Sequence, residues 1–416
     1  AILVACPTPT TGLARLRGRL TDRQRDEMAG LGANERALLG RIRFRPLRRL
    51  AVRLVRLKMQ LQFTGWLQYL IPLAPTLLLA LLGAATWLLV GPWAAAVFLL
   101  PAAALLLIVA FDILTSKFLI RPPERRPPRR EGLSVLELLR ARRSCRSYQT
   151  APLSDADREE LLAAVERELQ RPPLGKAEPR LVYIRAPLTV WPVVNASEFL
   201  VAIVPEPYDR TAVIEVGRSL QRVVVEATRM GLGTCWIGPG ADQRSVAKEL
   251  GKRFDPRTEH IVCVCAIGYP SAYAPLFVRL FTRKMSATRL PLRELFFSDG
   301  ALRKPLDVDT APYDRFGPAY EVCRWAPSSY NGQTTRAAVQ IDEPGEVNEV
   351  KFFAVTTSRY YAPVALGIWC TNWELACQAL GQAGAFELGP GPSDHLPCHD
   401  ATWRSPLKTD SNKKGT

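Results

Sequence analysis

Histidine is nearly absent from this 416-residue chain: there are three copies, His260, His395 and His399. None lies near the segments that look built for a ligand, so those segments lack a His-centred acid/base pair. Paired cysteine is lacking too. The nine Cys (Cys6, Cys145, Cys235, Cys263, Cys265, Cys323, Cys370, Cys377, Cys398) are an odd number without a C-x-x-C pair. That pattern speaks against a disulfide scaffold, and the thiols in apolar runs read as small hydrophobes in a reducing compartment. HLPCH (395–399) has no two further ligands beside it, so no metal is expected there. Charge is missing over one long stretch: from Gly65 to Ile120 the only charged residues are Asp112 and Lys117. Acidic residues are scarce just where basic ones abound, since residues 1–130 hold 20 Lys+Arg against 6 Asp+Glu, which places +14 of the net +16 there. The basic character belongs to the N-terminal third and gives no reason to expect a nucleic-acid partner for the remainder.

The length exceeds what one core usually serves, so a globular domain of about 200–300 residues plus an appended part is expected. The appended part is the uncharged stretch. A bilayer span needs about 20 residues, and Gly91-Pro92 is a natural break, so the run reads as a transmembrane hairpin of 67–89 and 93–114. Trp66, Tyr69, Trp87 and Trp93 fall near its ends, where amphipathic rings prefer the membrane interface. A buried hairpin in a soluble core is the other reading. Basic flanks at 41–58 and 121–130 place both ends, and everything after them, on the cytoplasmic-type side. In the first flank Leu47, Leu50, Ala51, Leu54 and Leu57 recur at helical spacing opposite Arg48, Arg49, Arg53 and Arg56, which fits a helix on an anionic membrane surface or a solvated basic helix. The second flank, RPPERRPPRR, reads as an extended linker. The chain opens on Ala1 rather than Met, so a preceding targeting segment is left open. Asn195-Ala196-Ser197 matches a glycosylation sequon, but the expected topology keeps it from a lumen.

After residue 131 the pattern is α+β. Ser154 and Asp157 are spaced as a capping box ahead of a helix. RLVYI, EFLVAIVPE, EHIVCVCAIGYP and EVKFFAVTT read as strands. Long apolar helices are expected over 212–230 and 362–380. Placed 150 residues apart, Gly217 falls on Gly367, Val225 on Leu375, Ala227 on Cys377, Met230 on Leu380 and Gly231 on Gly381, which hints at two related halves, although apolar identities between buried helices also arise by chance. The division expected is 1–64 basic segment, 65–120 hairpin, 121–133 linker and 134–408 globular domain, with halves of about 134–300 and 301–408.

RRSCRSY (142–148) sets three guanidinium forks and a hydroxyl at a helix end. That suits a phosphate, and it equally fits a solvated helix end. GLGTCWIG (231–238) offers free backbone N–H groups or an ordinary helix-stopping turn. PSSYNGQ (327–333) offers hydroxyls and amides for a heterocycle rim, or a turn.

Together with IGYP (267–270) and TRLPL (288–292), these segments resemble the nitroreductase family of flavin enzymes, over roughly 135–390. The resemblance implies a nitroreductase-like central sheet flanked by helices and an FMN site. Arg142, Arg143, Ser144 and Arg146 would meet the phosphate and ribityl, with Arg289 also on the phosphate. Thr234, Trp236, Ile237 and Gly238 would lie beside the ring, with backbone N–H groups up to Gly240 near N5. Pro327, Ser328, Ser329, Asn331 and Gln333 would reach in from the other half. Family members are ordinarily homodimers in which RRSxR closely precedes PSSxNxQ. Here the first half holds the former and the second half the latter, so a fused pseudo-dimer with one flavin, monomeric as a chain, is expected. The implied activity moves reducing equivalents from NADH or NADPH to a quinone, nitro compound or similar flat acceptor, with no catalytic side chain assigned. Two departures stand out: Gln333-Thr334-Thr335 replaces the usual Gln-Pro-Trp, and Ala287 replaces a frequent basic residue. A non-catalytic flavin-binding or partner-binding membrane protein is the alternative.

Overall fold

The computed structural model describes residues 38–406 except 177, 239, 240, 343, 344 and 391–394, without the side chains of 286 and 287. Most of the basic N-terminal segment, and Gly240 with its expected backbone donor, lie outside the described residues. The chain divides into two compact units, one holding the residues up to Arg121 with Thr189–Pro192 and Pro275–Phe277, the other holding the rest.

In the first unit α1 (Arg45–Phe63) leads into a short α2 (Leu67–Leu70), then α3 (Leu73–Leu89) and α4 (Pro92–Asp112), which runs on as a π turn to Lys117. Leu67–Leu89 and Pro92–Lys117 are each long and apolar enough to cross a bilayer, and few of their residues are buried. The turn between them requires a glycine: Gly91 has φ 123° and is followed by Pro92 at the first helical position. At the other end Lys117 donates to the Thr64 carbonyl at 3.2 Å and sits 5.1 Å from the centre of the Trp66 ring, so the end of α4 returns to the end of α1. Asp112 is buried and accepts from the Leu276 N–H at 2.7 Å.

The second unit carries two sheets in place of one central sheet. Its elements are α5 (Val135–Ala141), α6 (Asp155–Leu169), β1 (Arg180–Arg185), β2 (Glu198–Pro205), α7 (Arg210–Arg229), β3 (Gly233–Ile237), α8 (Gln243–Leu250), β4 (Glu259–Gly268), α9 (Leu276–Ala287), which starts in the first unit, β5 (Phe296–Phe297), α10 (Gly317–Arg324), β6 (Thr335–Ile341), β7 (Val347–Ala354), α11 (Tyr361–Ala379), β8 (Ala385–Leu388) and β9 (Cys398–Arg404). The first sheet runs β1-β2-β4-β3 and the second β5-β6-β7-β9-β8. Without β5, which adds a parallel edge, the second order repeats the first, all neighbours are antiparallel, and one long helix follows the second strand in each. Residues Gly231 and Gly381, just beyond those helices, both have positive φ, 80° and 68°, as left-handed helix ends require.

Helices α7 and α11 pack on each other at Gly217 and Gly367. A Cβ on Gly217 would lie 3.0 Å from the Gly367 Cα and collide with the Val364 carbonyl; one on Gly367 would lie 2.9 Å from the Gly217 Cα and collide with the Ile214 carbonyl. Polar pairs fix the register beside this crossing: Gln221 with Asn372 at 3.0 Å, the Thr371 hydroxyl on the Arg218 carbonyl at 2.8 Å, and Arg222 with Glu374 at 2.5 Å. Each sheet has its own core. The first is aliphatic, from Leu161 through Leu200 and Val224 to Ile267. The second is aromatic, with Phe316 stacked on Trp373 at 5.6 Å and Phe296 on Trp369 at 5.4 Å. Leu138 and Leu139 of α5, although they precede the first sheet in sequence, are buried in the second core.

The proline-rich segment is extended, as its composition predicts, but it is held along its length. Glu124 accepts from the Ser271 hydroxyl at 2.8 Å and the Ala272 N–H at 2.6 Å; Gln149 donates to the Arg125 carbonyl at 2.9 Å; Arg129 bridges Asp157 and Glu160 at 3.0 and 2.7 Å.

Replacing Gly217 by Ala inserts a methyl group against backbone that cannot rotate away. We expect a loss of about 1–3 kcal/mol in chemical denaturation of the purified chain, and an unchanged midpoint would show that the two helices can part without cost.

Candidate functional site

α5 begins with a reciprocal cap, in which Ser134 and Glu137 exchange hydrogen bonds, and it buries Leu138 and Leu139 at about 1.5–3 kcal/mol each. That burial brings the end of α5 to the second half. Arg142, its C-cap residue, is 5% exposed, and its Nη1 is buried with no hydrogen-bond partner. Its pKa is pushed down to about 10, first by burial and then by the charges of Arg289 and Arg143. Arg289 is likewise pushed down to about 10, by burial and then by Arg143 and Arg324, and its Nε is buried without a partner. The guanidiniums of Arg143, Arg289 and Arg324 all lie over the Trp325 ring, at 5.4, 5.4 and 5.8 Å. Glu321 pairs with Arg324 at 3.1 Å, but among the described residues no carboxylate pairs with Arg142, Arg143 or Arg289.

Four cations so placed with one carboxylate repel one another, and Arg142 is buried and Arg289 half-buried among them. Both costs fall when an anion enters. The orphaned nitrogens of Arg142 and Arg289 are what a phosphate would occupy, so these residues fit the phosphate end of a mononucleotide.

Arg289 is held by the PSSYNGQ segment. Its Nη1 donates to Asn331 Oδ1 at 2.7 Å and to the Ala326 carbonyl at 3.1 Å; Asn331 Nδ2 donates to the Thr288 carbonyl at 2.7 Å, and Gln333 Oε1 accepts from the Leu290 N–H at 2.9 Å. The amides of Asn331 and Gln333 are thus engaged with residues 288–290. Tyr330, Asn331 and Gln333 have φ of 51°, 56° and 45°; for non-glycine residues this costs on the order of 1–2 kcal/mol each. The Ser328 Oγ, accepting from the Gln333 N–H at 2.9 Å, helps impose it. Pro327 is buried and Ser329 half-buried beside them.

RRSCRSY continues as a short strand along β3. Ser144 forms a parallel bridge with Thr234, and the Cys145 N–H donates to the Thr234 carbonyl at 2.8 Å. Arg146 Nη1 reaches Cys235 Sγ at 3.4 Å, while its Nε is buried without a partner. Ile237 is buried in β3, and Trp236 packs against both cores with its indole N–H unpaired. Gly238 is where Tyr361 of α11 approaches; a Cβ there would lie 3.1 Å from the Tyr361 ring. Tyr361 in turn meets the exposed Tyr330 edge-on at 6.5 Å.

The structure therefore brings Arg142, Arg143, Arg289 and Asn331 into one cluster and sets Ser144, Arg146, Thr234 and Trp236 along the adjoining strand. The sequence reading missed Trp325, Arg324 and Tyr361. Trp325 lies two residues before PSSYNGQ, and the adjoining Arg324-Trp325 pair was the available signal. His399 packs on Phe353 at 5.0 Å and pairs with Thr402 at 2.9 Å, and among the described residues no group of three His, Cys, Asp or Glu is placed to hold a metal.

The domain is α+β, with two sheets of like strand order and a cluster of arginines where α5 meets the segment after α10. Residues 134–377 match the sequence model of a family described as "Putative TM nitroreductase". That is more than half of the chain, and the chain belongs to this nitroreductase family. Solved structures similar to it include a protein described as a nitroreductase from Thermotoga maritima (17% identity, 68% of this chain and 95% of that one, TM-score 0.41). Others are one in complex with FMN from Desulfovibrio desulfuricans (22%, 38% and 92%, 0.29) and a nitroreductase with bound FMN from Bacteroides fragilis (18%, 35% and 92%, 0.28). No curated protein matches the chain.

Burial and the neighbouring cations hold the folded pKa of Arg142 below its unfolded value, so its charge diminishes stability at every pH up to about 10, and the deficit closes only above that, as pH rises towards the unfolded value. Arg142→Met is therefore expected to raise the stability of the ligand-free protein by about 1–3 kcal/mol while abolishing the thermal shift that FMN gives the parent. A destabilised variant, or one that keeps the full shift, would remove the anion-site reading.

Proposed function

We propose that the chain is a membrane-anchored FMN-dependent oxidoreductase that passes reducing equivalents from NADH or NADPH to a quinone, nitroaromatic or similarly flat acceptor. The observation that carries this reading is the pair of buried guanidinium nitrogens left without a partner, Arg142 Nη1 and Arg289 Nε, in a chain of the nitroreductase family. Bound FMN would supply the hydride chemistry itself. Arg142 and Arg289 would neutralise its phosphate, with Arg143 at the rim, and Ser144 and Arg146 would flank the ribityl. Trp236, Ile237 and Gly238 would border the ring, where backbone N–H groups can favour charge that develops on reduction. Asn331 and Gln333 would act by positioning Arg289 and Leu290.

The matched strand orders and the Gly217–Gly367 crossing support the reading of the globular part as a fused pseudo-dimer, monomeric as a chain and with one site. Two apolar helices flanked by Arg-rich segments support the anchor, with N-terminal segment and globular domain on the cytoplasmic-type side. A second reading, a non-catalytic flavin-binding or partner-binding protein, draws on the amides of Asn331 and Gln333 being already engaged with the protein.

Purified protein should bind one FMN per chain, and anaerobic NADH or NADPH should bleach it. A yellow protein that neither nucleotide bleaches would favour the non-catalytic reading. Arg142→Ala should weaken FMN binding about 10- to 150-fold, as expected for a charge-assisted contact of about 1.5–3 kcal/mol. Asn331→Ala should cost about 1 kcal/mol, through a looser Arg289. Two flavins per chain would refute the single fused site.

The anchor has its own test. The full chain should stay in the membrane pellet after alkaline carbonate extraction, and release into the supernatant would contradict the spanning hairpin.

A further inference from the structure

We propose that α1 is a docking surface for anionic phospholipid headgroups, a partner that the spanning hairpin by itself does not select; the proposal rests on the spanning reading given above. At about 100° per residue, Arg45–Phe63 sorts its side chains into three faces rather than two. Arg48, Val52, Val55 and Met59 form the packed face. Arg48 and Val52 are buried, Arg48 donates to the Ile42 carbonyl at 3.1 Å, and Val55, Met59 and Ala51 pack with Leu39 and Ile42. Arg48 and Ala51 therefore belong to this inward side and not to the basic and leucine faces that spacing alone suggests. Leu47, Leu50, Leu54 and Leu57 form the second face, each half or more exposed. Between these two lie exposed Arg45, Arg49, Arg53 and Arg56, and exposed Lys58 borders the leucine stripe on its other side.

An exposed leucine stripe with a row of exposed arginines along one edge and Lys58 on the other fits an occupant that is apolar at its centre and anionic at its rim. The helix holds six Lys/Arg and no Asp or Glu, so a second copy of α1 on the same stripe would set cations against cations. A bilayer surface with anionic lipid supplies both parts, acyl chains under the leucines and headgroups for the arginines. Continuity places α1 at that level. The first span starts at Leu67, four residues beyond Phe63, and Lys117 at the end of the second span donates to Thr64.

The full chain in nanodiscs of phosphatidylcholine alone, or with about one third phosphatidylglycerol, tests this by amide hydrogen exchange. Exchange over 45–63 should slow about tenfold or more when the anionic lipid is present, and Leu50→Gln with Leu54→Gln should abolish the slowing. Both side chains are exposed, so the fold should tolerate the change. Equal exchange in the two lipids, or slowing that survives the double substitution, would overturn the proposal. So would protection in phosphatidylcholine that grows with protein concentration, which would mark pairing of two copies. Residues 67–117 in the same data report on the hairpin separately. If they are protected in both lipids while 45–63 is indifferent, only this proposal falls; if they exchange freely, the spanning reading falls and takes this one with it.

Discussion

The globular part depends on one close approach, where α7 and α11 cross at Gly217 and Gly367. No side chain fits at either position, because the first carbon would enter the partner's backbone. Such a crossing lets two helices touch over their length, and the buried polar pairs beside it admit one register. Each helix is also the backing of its own sheet. Fixing the crossing therefore fixes the two sheets against each other, and with them the seam where α5 meets the segment after α10.

That seam gathers charge that folding alone would not choose. Arg142 is buried and Arg289 half-buried, next to other cations and, among the described residues, without a pairing carboxylate, and three residues of the adjacent turn are held left-handed. Packing elsewhere over-determines these features: Leu138 and Leu139 are locked in the second core, and Asn331 clasps Arg289 from the other half. Strain and unpaired charge persist only where well-packed neighbours hold them in place.

The sequence made much of this legible, for identifiable reasons. Periodicity was strong enough to locate α7, α11 and four of the strands, and Gly91-Pro92 marked the hairpin turn. The Gly217–Gly367 and Gly231–Gly381 correspondences proved structural, because glycine is required for a reason at each: close approach in one pair and positive φ in the other. Short strands such as Phe296–Phe297 and Ala385–Leu388 carry no such signal. Nor does composition reveal that RPPERRPPRR is pinned, since its partners Asp157, Glu160, Ser271 and Ala272 are distant in sequence. At the site, the arginines could be named from their motif. The roles of Trp325 and Asn331 depend on pairing across the two halves, which no local pattern encodes.

Both sides of the seam belong to one chain, so bringing α5 onto the segment after α10 is an intramolecular step that dilution does not weaken. The same connection breaks a symmetry of inheritance. In a dimer of identical subunits any substitution appears twice and must suit both copies of the site. In this chain the two sheets are encoded by different residues, so Phe316, Trp373 and Trp403 fill one core with aromatic bulk while the other core is aliphatic.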